Sequence, residues 1–129
     1  MAVIHTTACE ELIRQIESFA DPGDLGPDEW SSTASSIADA SDFLRSLYRQ
    51  EDEAWPVPDA GPSYDEGVDI RWERAGRGMS VHLPGDPQHP RWLTRIIGGL
   101  QHRIVGVAEL SSVLELMDWV CDRTSLRED

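Results

Sequence analysis

The chain has 129 residues, which fits a single domain over 1–129, and its 40% hydrophobic and 27% charged residues are typical of globular rather than disordered proteins. A net charge of −13 argues against direct binding to nucleic acid or to an acidic membrane surface. No apolar run has the length of a membrane span, and the N-terminus lacks the basic flank and apolar stretch of a signal peptide. We therefore expect a cytoplasmic protein in which Cys9 and Cys121 are buried thiols rather than a disulfide.

Charge is distributed unevenly along the chain. Residues 1–66 carry 3 Arg against 15 acidic residues, residues 67–107 carry 6 Arg against 3, and residues 108–129 carry 2 Arg against 6. A mildly basic middle therefore lies between two acidic ends. Because negative surfaces attract positive ones over long range, we expect the partner to be a larger protein with a basic surface.

Residues 1–53 are predicted to form a helical hairpin. The first helix covers 6–20, where Thr7 begins a capping box and apolar residues then recur at helical spacing. The second helix begins at Pro27, because a proline in the first turn has no N–H to lose, and its inward stripe starts with Trp30.

The period of the apolar residues changes from helical spacing to two after a Pro- and Gly-rich linker at 54–66. The segments VDIRWER and MSVHL alternate apolar and polar residues, and the glycines between them predict a hairpin. WLTRII and LQHRIVGV are two more strands, joined at Gly98 and Gly99. Residues 67–107 are therefore predicted to form a four-stranded antiparallel meander.

Residues 108–129 are predicted to form a C-terminal helix and a tail, with a capping box that begins at Ser112. Trp119 falls between the inward positions of this helix, so we expect it at an edge of the core. The expected fold class is α+β, with the N-terminal helical hairpin and the C-terminal helix packed on one face of the sheet.

The segment VHLPGDPQHPRW, residues 81–92, contains the most distinctive group of polar residues. A metal site would use His82, Asp86 and His89, but the prolines exclude helical ligand spacing and no cysteine is nearby. We predict an extended connector without a metal or a cofactor. Because such a loop is rigid and exposed, it is also a candidate for contact with a partner.

The outward face of the predicted sheet is a second candidate, because Arg71, Ser80 and His82 point away from the apolar positions. Arg95 and either His102 or Arg103 could join them. Two arginines beside a histidine suit an anionic ligand or a carboxylate-rich peptide. The alternative is a solvated face on which the arginines pair with neighbouring carboxylates. Trp55 and Trp92 lie in connecting segments and are candidate interface anchors, although Trp55 could equally fix the linker to the domain.

No catalytic constellation is present, since the sequence has neither a Gly-x-Ser-x-Gly elbow nor a phosphate-binding glycine loop. We therefore predict a non-catalytic, acidic protein-interaction module: an adaptor, an accessory subunit, a dedicated chaperone or an immunity-type partner. One alternative is a DNA mimic that inhibits a nucleic-acid-binding protein. Another is a small ligand-binding or metal-dependent enzyme that uses the histidine loop. The predicted partner-binding residues are Trp55, Arg71, His82, Asp86, His89, Trp92 and Arg95.

Overall fold

The computed structural model describes residues 2–20, 31–50, 55–86, 88–98 and 101–121. These residues form three helices, α1 (Ala2–Glu17), α2 (Ala34–Tyr48) and α3 (Leu110–Val120), with a 3-10 turn at Ser18–Ala20 after α1. They also form five strands, β1 (Asp59–Pro62), β2 (Val68–Arg74), β3 (Arg77–Leu83), β4 (Trp92–Ile97) and β5 (Gln101–Val107).

The strands form one antiparallel sheet in the order β1-β2-β3-β4-β5, so the α+β class and the meander are confirmed. The predicted number of four strands is wrong, because β1 lies within the segment that was predicted to be a linker. Its prolines suggested irregular structure, but β1 is an edge strand that pairs, among the described strands, only with β2. A proline is tolerated there, since an edge strand has one side on which no N–H is needed for the sheet.

The core lies between the sheet and the helices. The helix α1 packs on β1 and α2, while α2 and α3 pack on β2 and β3. Each large apolar side chain that is removed from water contributes about 1.5–3 kcal/mol to folding, so this layer accounts for most of the stabilisation. The alternate strand residues that face the helices are Val68, Ile70, Trp72, Met79, Val81 and Leu83, all fully buried.

Two helices begin at residues other than those that the capping boxes predicted. The helix α1 starts at Ala2, so Thr7 lies inside it, and Glu109 rather than Ser112 precedes α3. Thr33 caps α2 by accepting a hydrogen bond from the N–H of Ser36. The start predicted at Pro27, like Trp30, lies outside the described residues. A Ser or Thr three residues before Glu also occurs within helices, which is why the motif misplaced two starts.

The predicted β2–β3 hairpin is present, with Ala75 and Gly76 at its turn. Both residues have positive φ, 52° and 83°, which is the conformation of a type I′ turn. Cys9 and Cys121 are buried thiols, as predicted. Trp119 was expected at an edge but is only 4% exposed. Within the described residues, no helix is long and apolar enough to cross a bilayer.

Candidate functional site

The first turn of α2 contacts the beginning of the loop at residues 81–92. The hydroxyl of Thr33 donates a hydrogen bond of 2.8 Å to the carbonyl of Gly85, and its N–H donates one of 2.8 Å to the carbonyl of Glu66. The hydroxyl of Ser32 donates to the carbonyl of Gly67 over 2.7 Å. Three chain segments therefore meet at this point, and the loop leaves it in a fixed direction.

His82 lies on the sheet face opposite the helices, between two carboxylates. Its Nε2 is 2.8 Å from Oδ2 of Asp65 and its Nδ1 is 2.5 Å from Oδ1 of Asp69. The hydrogen bond to Asp69 is the largest cause that raises the pKa of His82 to about 9; partial burial opposes it and Asp65 adds to it. Partial burial would raise the pKa of Asp65, but hydrogen bonds from Ser63, His82 and the Gly67 N–H lower it. The imidazolium thus ties the 63–67 turn to β2 and β3.

The second half of the loop turns at Asp86 and then runs along α2. The carboxylate of Asp86 accepts a hydrogen bond of 2.9 Å from the Gln88 N–H, and its carbonyl accepts one of 3.1 Å from the His89 N–H. Arg91 then reaches Asp39 of α2, donating from Nε over 3.0 Å and from Nη2 to the other oxygen. Such a two-pronged contact fixes both position and orientation.

An open groove of about 900 Å³ lies between α2, residues 89–91 and the connection from β5 to α3. We call it the acidic groove. Its apolar lining comes from Phe43, which is buried, and from Val107 and Leu110, which are partly exposed. The carboxylates that line it are those of Asp39, Asp42 and Glu109.

The predicted site residues are only partly brought together. His89 lines the acidic groove, but His82 is held by carboxylates on the sheet, so the structure gives the two loop histidines different surroundings. Trp92 is 40% exposed and pairs in register with both His82 and Val107. Asp86 forms the loop turn.

Three further candidates have neighbours within the fold. Trp55 is half-buried with its ring edge-on to Tyr48 at 5.4 Å, which is the arrangement expected of a linker residue fixed to the domain. Arg71 donates to Glu73 over 2.9 Å, as the alternative of a solvated face implied. Arg95 was expected to face outward but pairs in register with Met79, on the helix-covered face.

Sequence reasoning missed most of the groove. Asp39 and Asp42 are spaced like ordinary solvent-facing helix residues, and nothing near Arg91 indicates a partner 52 positions earlier. The exposed apolar residues Val107 and Leu110 at the end of β5 and the start of α3 were the available signal.

Within the part of the chain that the structure describes, no three His, Cys, Asp or Glu side chains are grouped so as to hold a metal ion. The chain matches no protein-family model, no curated protein and no solved structure.

Proposed function

We propose that this chain is a non-catalytic protein-interaction module whose acidic groove accepts a basic, partly apolar segment of a larger protein. The observation that carries the proposal is the composition of the groove. Asp42 and Glu109 are exposed and line the groove together with Leu110, which is 38% exposed. The third carboxylate of the lining, Asp39, is paired with Arg91. Carboxylates next to accessible apolar surface suit a segment in which Lys or Arg alternates with large apolar residues.

The charge of the whole chain supports the same partner. A net charge of −13 attracts a basic segment before contact and raises the rate of association. Apolar contact with the groove then determines how long the complex lasts. The interaction should weaken with added salt, since exposed charges are screened over about 8–10 Å at physiological ionic strength.

The contacts of His89 favour binding over catalysis. His89 is the histidine among the residues that line the groove. Its Nε2 is 3.7 Å from Oδ2 of Asp86, which is beyond hydrogen-bond length. A catalytic base is normally hydrogen-bonded to the group that orients it. The proposal therefore assigns the groove no chemical step.

The test uses a labelled, end-blocked 14-residue peptide of Lys and Leu at helical spacing, with fluorescence anisotropy as the measurement. Asp42→Lys should weaken binding about tenfold, because it reverses a charge inside the groove. Glu11→Lys, an exposed change of equal charge on α1, is the matched control and should alter the dissociation constant less than twofold. Equal weakening by both variants would show attraction to net charge alone and would overturn the proposal.

A further inference from the structure

The strand β5 extends beyond the helix layer. It is last in the sheet order, and the helices pack chiefly on β1, β2 and β3, so the main neighbour of β5 is β4. Residues 102–105 and Val107 are all exposed, which means that both faces of the strand are open to solvent. Among the strands that the structure describes, β5 has a neighbour on one side only, so its other backbone edge faces away from the sheet.

The exposed residues of β5 are largely apolar. Ile104 is 65% exposed, Val105 54% and Val107 48%. An accessible apolar edge strand can pair with a strand of another chain, because its outer N–H and C=O groups are unpaired. Proteins normally protect such edges with charge, proline or a bulge. The sheet has a register shift opposite Leu93 and Thr94, which leaves the ladder of β5 regular from Gln101 to Ile104. Those four residues are the segment to which another strand could be added.

The charge at this edge is opposite to that of the rest of the molecule. Residues 88–107 contain three arginines and neither Asp nor Glu, in a chain whose net charge is −13. Arg91 is bound to Asp39 and Arg95 lies 5.5 Å over the ring of Trp119, which leaves Arg103 as the exposed arginine on β5 itself.

The two faces of β5 differ in chemistry. Arg103 pairs in register with Arg95, so it lies on the sheet face that the helices cover at the other strands. Ile104 pairs in register with Thr94, so it lies on the opposite face. A strand added beside β5 would place every second side chain near Arg103 and the others near Ile104, because successive side chains alternate between the faces. Carboxylates alternating with apolar residues would complement both.

We propose that the β5 edge binds an extended segment of an acidic partner, in which Glu or Asp alternates with apolar residues. The segment Gln101–Ile104 is absent from the lining of the acidic groove, which β5 reaches at Val107, so the chain would connect two partners of opposite charge. A second copy of this chain fits less well. Antiparallel pairing of two β5 strands would bring two copies of Arg103 into one short interface, where their like charges repel.

The test uses an end-blocked, labelled seven-residue peptide that alternates Glu and Val, with the Lys–Val peptide as the charge-reversed control. The Glu–Val peptide should bind at low salt and slow amide exchange at Gln101–Ile104, and the Lys–Val peptide should do neither. Arg103→Glu should weaken binding at least tenfold. Arg49→Glu, an exposed change of equal charge at the end of α2, should change it less than twofold.

Amide exchange and sedimentation separate the outcomes. Slowed exchange at β5 that is lost in Arg103→Glu supports the proposal, and Ile104→Ser should reduce binding by removing the apolar contact. Three results would overturn it: binding without protection of β5, equal effects of Arg103→Glu and Arg49→Glu, or a dimer through β5 in the absence of peptide. The acidic groove is unchanged in these variants, so the Lys–Leu peptide reports separately on the function proposed for it.

Discussion

The Nδ1 atom of His82 lies 2.5 Å from Oδ1 of Asp69, and these two residues are directly paired across β2 and β3. The other ring nitrogen reaches Asp65 in the turn that follows β1. One protonated imidazole therefore joins the turn to two strands. The arrangement needs the charged ring, because only the imidazolium can donate from both nitrogens.

This geometry predicts a pH-dependent stabilisation. The pKa of His82 is raised to about 9 from its usual 6.5, so its contribution is fully present below pH 6.5 and is lost as the pH rises through 9. The pKa of Asp65 is lowered, so its contribution is lost as the pH falls through the folded-state pKa of that carboxyl. The contribution should therefore be greatest between about pH 5 and 6.5.

Urea unfolding of the wild type and of His82→Gln should show this contribution as a difference. One pKa unit corresponds to about 1.4 kcal/mol of free energy. Because Asp69 is half-exposed, solvent screening reduces the contribution of the pair. We therefore expect His82 to contribute roughly 2 kcal/mol to the free energy of unfolding at pH 6, and less as the pH approaches 9. His89→Gln, at an exposed position, is the control and should differ little from wild type at any pH. Parallel pH profiles for wild type and His82→Gln would contradict the assignment.

Two glycines near this cluster should be intolerant of a side chain. A Cβ on Gly67 would lie 2.1 Å from the Leu83 carbonyl oxygen, and one on Gly85 would lie 2.3 Å from the Asp65 carbonyl oxygen. Both contacts are with backbone, which cannot rotate away. We expect Gly67→Ala and Gly85→Ala each to lower the free energy of unfolding by about 2 kcal/mol or more.

Gly61→Ala on β1 is the matched control, since a Cβ there meets nothing within 4 Å. It should leave the thermal midpoint within a few degrees of wild type. If all three alanine variants had the same thermal midpoint, the close backbone contacts at Gly67 and Gly85 would be contradicted.

The strands and their core were predictable because their signals are local. Alternation over Val68–Trp72 and Met79–Leu83 fixes one buried face, and the glycines between the two segments fix the hairpin. The face of Arg95 was not predictable, because β4 lacks clean alternation and buries both Leu93 and Ile96. An arginine can lie on the covered face there because its guanidinium rests on Trp119.

The acidic groove and β1 could not be read from local patterns. The groove is lined in part by Arg91 and by Asp39, which contact each other although they are 52 positions apart, and no sequence periodicity predicts such a pairing. The strand β1 is held by its register with β2, which the prolines around it conceal. Long-range contacts of this kind become visible only when the elements are packed.

The Arg91–Asp39 pair should show measurable coupling. Both side chains are about one-third exposed and the contact is two-pronged, so a double-mutant cycle with Arg91→Ala and Asp39→Ala should give about 1 kcal/mol. Arg45 and Glu10, 3.8 Å apart and more exposed, form the comparison pair and should give a coupling of roughly 0.3 kcal/mol. Equal coupling energies in the two cycles would show that the two-pronged geometry of Arg91 and Asp39 makes the pair no stronger than an exposed ion pair.

The turn of the β2–β3 hairpin offers a stabilising substitution. Ala75 has a φ of 52°, a left-handed conformation that Asn adopts more readily than Ala, and Gly76 follows it at 83°. Ala75→Asn creates the Asn-Gly pair that type I′ turns prefer and should raise the free energy of unfolding by about 0.5–1 kcal/mol. Ala75→Val is the opposing variant, because a β-branched residue is strained at positive φ, and it should destabilise the fold. Chemical denaturation of the three proteins should therefore order them as Asn, Ala and Val, and an order in which Val equals Asn would mean that residue 75 is not left-handed in solution.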